Sequence, residues 1–148
     1  MSFQKLDALR LANESIDDIF PNHPAQAERA RRTRAWIGDV WQLARVLQRY
    51  RPDLFLLPLD AAPAGLLLVA GLDPANRVLW DAYNTIVRGV WECVGTPQSV
   101  VERQGAVDPA SDVVRRVIET LKSARLNGWS LPEIVVQLRV ARENDSAR

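Results

Sequence analysis

The sequence predicts a mainly α fold: a single compact helical domain over 1–148, built of five to six helices, with a small β-hairpin at 54–70. Apolar residues recur at helical spacing through most of the chain, and proline and glycine separate the periodic segments. The 148 residues are enough for one domain with a buried core. Hydrophobic residues make up 47% and charged residues 25%, which excludes a wholly disordered chain or a collagen-like fibre.

Two helices are predicted first, over 4–20 and 24–50, with Pro21 and Pro24 between them because proline cannot continue a helix from its interior. The second has one broad apolar face. That face consists of Trp36, Ile37, Val40, Leu43, Ala44, Leu47 and Tyr50. Pro52 ends this helix, since the residue before a proline is pushed out of the helical region.

The segment 54–72 is almost entirely apolar and has the length of a membrane span. Asp60 lies near its middle, and a charge at that depth costs about 2.5–3.5 kcal/mol. A proline on each side of Asp60 would also break the backbone hydrogen bonding that lipid demands. Two short buried strands joined by a turn, 54–59 and 65–70, fit the pattern better, so no membrane partner is predicted.

A third long helix is predicted over 73–94, opening at Asp73 with a proline in its first turn. Its apolar face is wide, so we expect this helix at the centre of the core. The face consists of Leu79, Trp80, Tyr83, Ile86, Val87, Val90, Trp91 and Val94.

Three further helices are predicted, over 97–105, 108–126 and 131–143. Gly128 is a helix C-terminal signal. The S-L-P-E run at 130–133 is a capping box that opens the last helix.

Positive charge is concentrated in one segment. The formal net charge is +1, yet residues 24–51 hold seven arginines against two acidic residues. Four of them repeat on the face opposite the apolar one, spanning about 27 Å at the rise of an α-helix. These are Arg31, Arg34, Arg45 and Arg49. Such spacing suits a run of phosphates or an acidic strip on a protein, and a solvated face is the open alternative.

Five tryptophans stand at positions 36, 41, 80, 91 and 129. Core packing is the expected role for aromatic residues on apolar helix faces. Trp41 is the exception, because it lies between its apolar face and the arginines. We therefore predict that Trp41 is an exposed contact residue.

The sequence carries no recognisable catalytic, cofactor or metal motif. The lone His23 lies in a proline-bounded loop, where a surface or capping role is expected, and Cys93 lies in an apolar run. One Cys and one His cannot build a zinc site from nitrogen and sulfur ligands. We predict no enzyme, no cofactor and no metal, although a catalytic site assembled from distant residues stays open.

Residues 118–138, IETLKSARLNGWSLPEIVVQL, resemble the helix-turn-helix of resolvase- and transposase-type DNA-binding proteins. The matching residues are Gly128, Ser130, Leu131, Glu133, Ile134 and Leu138. The resemblance covers about 20 residues within 108–143 and implies that this C-terminal helix pair binds DNA.

Two functions are predicted. The first is a small non-enzymatic cytoplasmic regulator that binds nucleic acid through the arginine-rich helix, with the C-terminal helix pair supplying groove contacts. The alternative is a protein-binding inhibitor or antagonist, of phage or plasmid type or antitoxin-like, which uses the same basic face and Trp41 on an acidic partner. A single cysteine and the acidic residues within 1–20 favour the cytoplasm. The sequence leaves monomer and homodimer open.

Overall fold

A computed structural model describes residues 13–28 and 37–143 of the chain. Three strands form an antiparallel sheet in the order β1-β3-β2: β1 (Asn13–Asp17), β2 (Phe55–Leu59) and β3 (Leu66–Ala70). The described part also contains a 3-10 turn (Pro24–Gln26) and six helices, namely α1 (Trp41–Tyr50), α2 (Val78–Asp81), α3 (Tyr83–Glu92), α4 (Gln98–Val101), α5 (Asp112–Asn127) and α6 (Leu131–Glu143). The protein is therefore mixed α/β, and the predicted mainly α fold is wrong.

Strand β1 replaces part of the helix predicted over 4–20, whose first residues lie outside the described ranges. It pairs with β3 from Asn13↔Ala70 to Asp17↔Leu66. The physical reason is that β3 is apolar at every position and needs a partner on both edges. Such pairing joins residues about fifty positions apart, so local periodicity cannot reveal it.

The predicted hairpin at 54–70 is present. Strand β2 pairs with β3 from Phe55↔Ala70 to Leu59↔Leu66, within a residue of the predicted bounds. Burial alternates along β2 because successive side chains point to opposite faces of the sheet.

Helices cover both faces of the sheet. Alternate strand residues, including Phe55 and Leu57, pack against α5 and α6. This cluster also contains Val114, Val117, Ala124, Ile134, Val135, Leu138 and Ala141. On the other face Leu67 and Val69 pack with Leu47 of α1 and with Ile19 and Phe20, which follow β1. The sheet is thus the middle of three layers.

The outer edge of β2 is covered by arginine side chains of α6 and, at its far end, by a parallel bridge between Leu59 and Val107. Arg139 of α6 donates to the carbonyl of Pro52 at 2.7 Å, and Arg142 donates to that of Leu56 at 3.3 Å. Farther along the strand, the N–H of Val107 donates to the carbonyl of Pro58 at 2.9 Å. These bonds satisfy carbonyl groups that would otherwise be open to pairing with a second chain.

Several predicted helices are shorter than expected. Gly38 has a φ of +65°, which an α-helix does not tolerate, so the helix predicted over 24–50 is wrong as one element and only α1 remains of it in the described ranges. The helix predicted over 73–94 begins at Val78 and is interrupted at Ala82. The last helix is confirmed at 131–143.

An ion pair fixes the connection from α1 to β2. The side chain of Arg51, which caps α1, is 4% exposed and lies against the half-exposed carboxylate of Asp53. Its Nε and Nη2 donate to the two carboxylate oxygens of Asp53 at 2.9 Å and 2.8 Å. These bonds lower the pKa of Asp53 below its usual 3.8 and raise the pKa of Arg51.

We expect Asp53→Asn to destabilise the protein at neutral pH and to lose that effect in acid. A carboxyl whose pKa is lowered by folding stabilises the native state above its unfolded pKa, and this stabilisation disappears as the pH falls through the lower folded pKa. Urea unfolding of wild type and Asp53→Asn between about pH 6 and pH 2.5 measures the difference in their unfolding free energies. If the difference in unfolding free energy between wild type and Asp53→Asn keeps its neutral-pH value below about pH 3.8, the result would contradict the pairing.

Candidate interaction surface

Two of the four predicted contact arginines lie on α1, and two fall outside the described residues. Arg45 and Arg49 are exposed and one helical turn apart. Arg31 and Arg34 belong to the segment 29–36, which lies outside the described residues. Because Gly38 separates that segment from α1, the four cannot share one continuous helical face.

Arg45 and Arg49 border a groove of about 380 Å³ between α1 and α3. The guanidinium of Arg45 lies 5.6 Å from the Trp41 ring centroid and 3.8 Å from the Sγ of Cys93, and that of Arg49 lies 5.7 Å from the Tyr50 centroid. The lining residues are Gln42, Arg45, Val46, Gln48, Arg49, Tyr50, Thr85, Ile86, Gly89, Val90 and Cys93. None of these is acidic, so the groove favours an anionic group.

The predicted exposure of Trp41 is wrong. Its side chain is 3% exposed, because α1 turns this residue inward beneath neighbouring segments. The indole N–H is buried and finds no hydrogen-bond acceptor in the described structure. Sequence periodicity placed Trp41 between two faces of one long helix, and that helix does not exist as a single element.

The predicted core position of 73–94 is also wrong. Trp80 is 72% exposed, Tyr83 56% and Trp91 65%. Within α3, all of whose residues are described, no side chain is buried. The sheet face on this side is already covered by α1, so α2 and α3 lie outside it and carry large apolar side chains on the surface.

Trp80, Tyr83 and Trp91 together expose a substantial apolar area. Aromatic side chains carry about 150–250 Å² each, so rings more than half exposed present roughly 400 Å² together. Trp80 and Tyr83 stack with their centroids 6.4 Å apart. Patches of about 300–600 Å² on a monomer are often functional. The sequence pattern identifies these residues as apolar but does not show that they are exposed.

The C-terminal helix pair has the predicted turn. Gly128 ends α5 in the left-handed conformation, with φ +64°. The Ser130 hydroxyl and backbone N–H both donate to Glu133 Oε2 at 2.7 Å, which lowers the pKa of Glu133. The outward side of α6 is mixed, because Val136 and Val140 are exposed beside several polar residues. The exposed polar residues are Glu133, Gln137, Arg139, Arg142 and Glu143. Its arginines, Arg139 and Arg142, are engaged with the edge of β2.

The remaining candidate groups have structural neighbours. The Nδ1 of His23 accepts the N–H of Ala25 at 3.2 Å, so His23 caps the 3-10 turn as predicted. Among the residues described, no group of three or more His, Cys, Asp or Glu could hold a metal ion. Over the same residues no helix is both long and apolar enough to cross a bilayer.

Comparisons of the chain with protein-family models, with curated proteins and with solved structures found no match.

We expect Trp80→Ser to change the free energy of unfolding by less than about 0.5 kcal/mol, because an exposed ring contributes little packing. Trp41→Ala removes a buried ring and should cost about 3–5 kcal/mol. Urea unfolding of the two variants measures both values. Comparable losses of unfolding free energy in Trp80→Ser and Trp41→Ala would show that Trp80 of α2 packs into the core.

Gly128→Val should destabilise the protein by about 1–2 kcal/mol, because a β-branched residue disfavours the left-handed conformation. A Cβ at this position meets nothing within 4 Å, so the loss is a backbone effect alone. Gly128→Asn is the matched control, since asparagine tolerates this conformation better. Equal melting temperatures for wild type and Gly128→Val would contradict a left-handed conformation at Gly128.

Proposed function

We propose that the protein acts by binding another protein, without catalysis, and that the partner presents an acidic amphipathic helix. The observation that carries this proposal is the exposure of Trp80, Tyr83 and Trp91 on α2 and α3. Tryptophan and tyrosine are enriched among the residues that dominate binding energy at protein interfaces. Helices that bury so little in their own fold gain stability when a partner covers them.

The spacing of the apolar residues favours a helix as the partner element. Within α2 and α3, Trp80, Tyr83, Val87 and Val90 follow one another at intervals of three and four residues, the pattern of a helix–helix seam. The hydrogen bonds of α2 end at Ala82, and those of α3 begin there. The N–H of Ala82 donates to Val78, and that of Ile86 donates to the carbonyl of Ala82. Trp80 of α2 stacks on Tyr83 of α3 across this junction, so the two helices can act as one docking surface.

Charge complementarity favours an acidic partner. Arg45 and Arg49 border the groove on the α1 side of α3, and none of the described residues that line it is acidic. Positive groups beside an apolar contact raise the association rate with an anionic surface and exclude cationic ones. Arginine also contributes through contacts with aromatic rings and carboxylates.

Nucleic acid is the second candidate, and the same two arginines favour it. Exposed cations next to exposed aromatic rings are found where proteins bind single strands. The C-terminal helix pair adds less support. Residues 106–148 hold seven basic and six acidic residues, and two of the basic ones, Arg139 and Arg142, donate to carbonyl groups of the chain. We therefore rank the protein partner first.

A cytoplasmic location belongs to this proposal and is supported by composition alone. The chain has one cysteine, so it forms no disulfide within itself.

Two synthetic helical peptides test the proposal by fluorescence anisotropy. Both carry leucine at heptad a and d positions; the flanks of one are glutamate and those of the other are lysine. We expect the glutamate peptide to bind and the lysine peptide not to bind. Trp80→Ser with Trp91→Ser should weaken binding at least about tenfold, the loss typical of interface hot spots. Arg45→Glu with Arg49→Glu should weaken it similarly and reduce its salt dependence.

Arg125→Glu is the control, because this exposed arginine lies near the end of α5, away from α1 and α3. Labelled duplex DNA and single-stranded RNA form the competing arm. Preferential binding of either nucleic acid, with a steep salt dependence, would overturn the protein-partner proposal in favour of the second candidate. A homodimer that dissociates on Trp80→Ser would assign the patch to a second copy of the chain and also overturn it.

A further inference from the structure

One wall of the groove between α1 and α3 is a single face of α3 and its C-cap. This face consists of Thr85, Ile86, Gly89, Val90 and Cys93. At about 3.6 residues per turn, Gly89 lies near its middle. Val90 also belongs to the apolar seam of α2 and α3, so the groove begins where the proposed contact with a partner helix ends. A residue that flanks the seam of that partner can therefore enter the groove.

Gly89 has no structural requirement to be glycine. Its φ is not positive, so no left-handed turn needs it, and a Cβ placed there meets no atom within 4 Å. Glycine is the least favourable residue in a helix interior after proline. Because Gly89 lies in the middle of the lining face, a side chain at this position would project into the groove. The glycine keeps that space open at the expense of helix stability.

Two guanidinium groups border this open space. Arg45 donates to the Sγ of Cys93 at 3.8 Å, and Arg49 lies over the ring of Tyr50. Neither arginine forms an ion pair with a described carboxylate. Side chains four residues apart on a helix have their Cβ atoms about 5–6 Å apart, so the two guanidinium groups can converge on one ligand group.

A phosphate monoester matches this pair better than a carboxylate does. It carries about −1.5 to −2 charges at neutral pH and three strong acceptor oxygens. One carboxylate would leave one of the two guanidinium groups without a counter-charge, whereas one phosphate neutralises both through charge-assisted hydrogen bonds. The exposed side chains of Gln48 and Thr85 also line the groove and offer further donors.

We propose that the groove binds a phosphorylated serine or threonine that flanks the apolar seam of the partner helix. This inference rests on the proposed function, because the partner helix delivers the phosphate to the groove. Phosphorylation of the partner then strengthens its binding to α2 and α3. A nucleic acid is the less suitable source, since each phosphate of its backbone carries a single charge.

Three forms of the glutamate-flanked helical peptide test the proposal. They differ at one central flanking position, which is serine, glutamate or phosphoserine, and the e and g positions are tested in separate sets because the groove lies on one side of the seam. Fluorescence anisotropy measures the Kd of each peptide. At one of the two positions we expect phosphoserine to bind at least about tenfold more tightly than glutamate.

Two arginine variants test the charge argument. Arg49→Gln leaves one guanidinium group at the groove, so the advantage of phosphoserine over glutamate should fall below about threefold. Arg88→Gln is the matched control, because Arg88 is an exposed arginine of α3 that does not line the groove. This control should keep the full advantage.

Gly89→Ala separates the space in the groove from the stability of the fold. The melting temperature should rise, since alanine is the best helix former. The affinity for the phosphoserine peptide should nevertheless fall about tenfold, because the added methyl group occupies the space of the phosphate and lengthens its charge-assisted hydrogen bonds. The affinity for the serine peptide should stay within about twofold of wild type, because that peptide places no phosphate in the groove.

Three results would overturn the proposal. The first is equal affinity for the phosphoserine and glutamate peptides when both bind, which leaves the proposed function standing. The second is a phosphoserine advantage that neither Arg49→Gln nor Gly89→Ala reduces. The third is single-stranded RNA that binds more tightly than the phosphoserine peptide and depends equally on Arg49, which would assign the groove to nucleic acid. If no peptide binds, the proposed function fails and this inference fails with it.

Discussion

The whole arrangement depends on the central strand β3, which is apolar at all five positions, Leu66–Ala70. A strand of this kind is stable only when both edges are hydrogen-bonded and both faces are covered. β1 and β2 supply the edges, α5 and α6 cover one face, and α1 with its neighbours covers the other. The remaining elements, including α2 and α3, take the positions that are available once the edges and faces of β3 are covered.

The small size of the sheet explains why α2 and α3 remain on the surface. Five residues at about 3.3 Å each and three strands at about 4.8 Å spacing make a face of roughly 16 by 14 Å. An α-helix with its side chains is about 10 Å wide, so α1 and the short α4 fill most of that face. Leu79 still reaches the cluster there, whereas Trp80 and Trp91 lie beyond it. A cavity remains between α1 and α4. Trp41 lies beside it, and its indole N–H has no acceptor among the described residues.

Local signals in the sequence predicted local structure well. The capping box at Ser130 and Glu133 predicted the bounds of α6, and the apolar runs around Asp60 predicted the β2–β3 hairpin. Non-local features were missed. Nothing near Ile16 shows that it pairs with Leu67. Helical periodicity identifies an apolar face but not the element that covers it. For this reason Trp41, predicted to be exposed, is buried, and Trp80, predicted to lie in the core, is exposed. Of the four predicted contact arginines, Arg45 and Arg49 stay candidates.

Because arginine side chains of α6 cover the edge of β2, this edge is protected only after α6 has been synthesised. The donors are Arg139 and Arg142, and their acceptors precede them by 85 to 87 positions. A nascent chain that has already formed the hairpin carries an open strand edge until α6 leaves the ribosome. A chain cut short before α6 keeps that edge open permanently, together with the apolar sheet face that α6 covers. Truncated products should therefore self-associate through β2 and be recognised by chaperones or proteases.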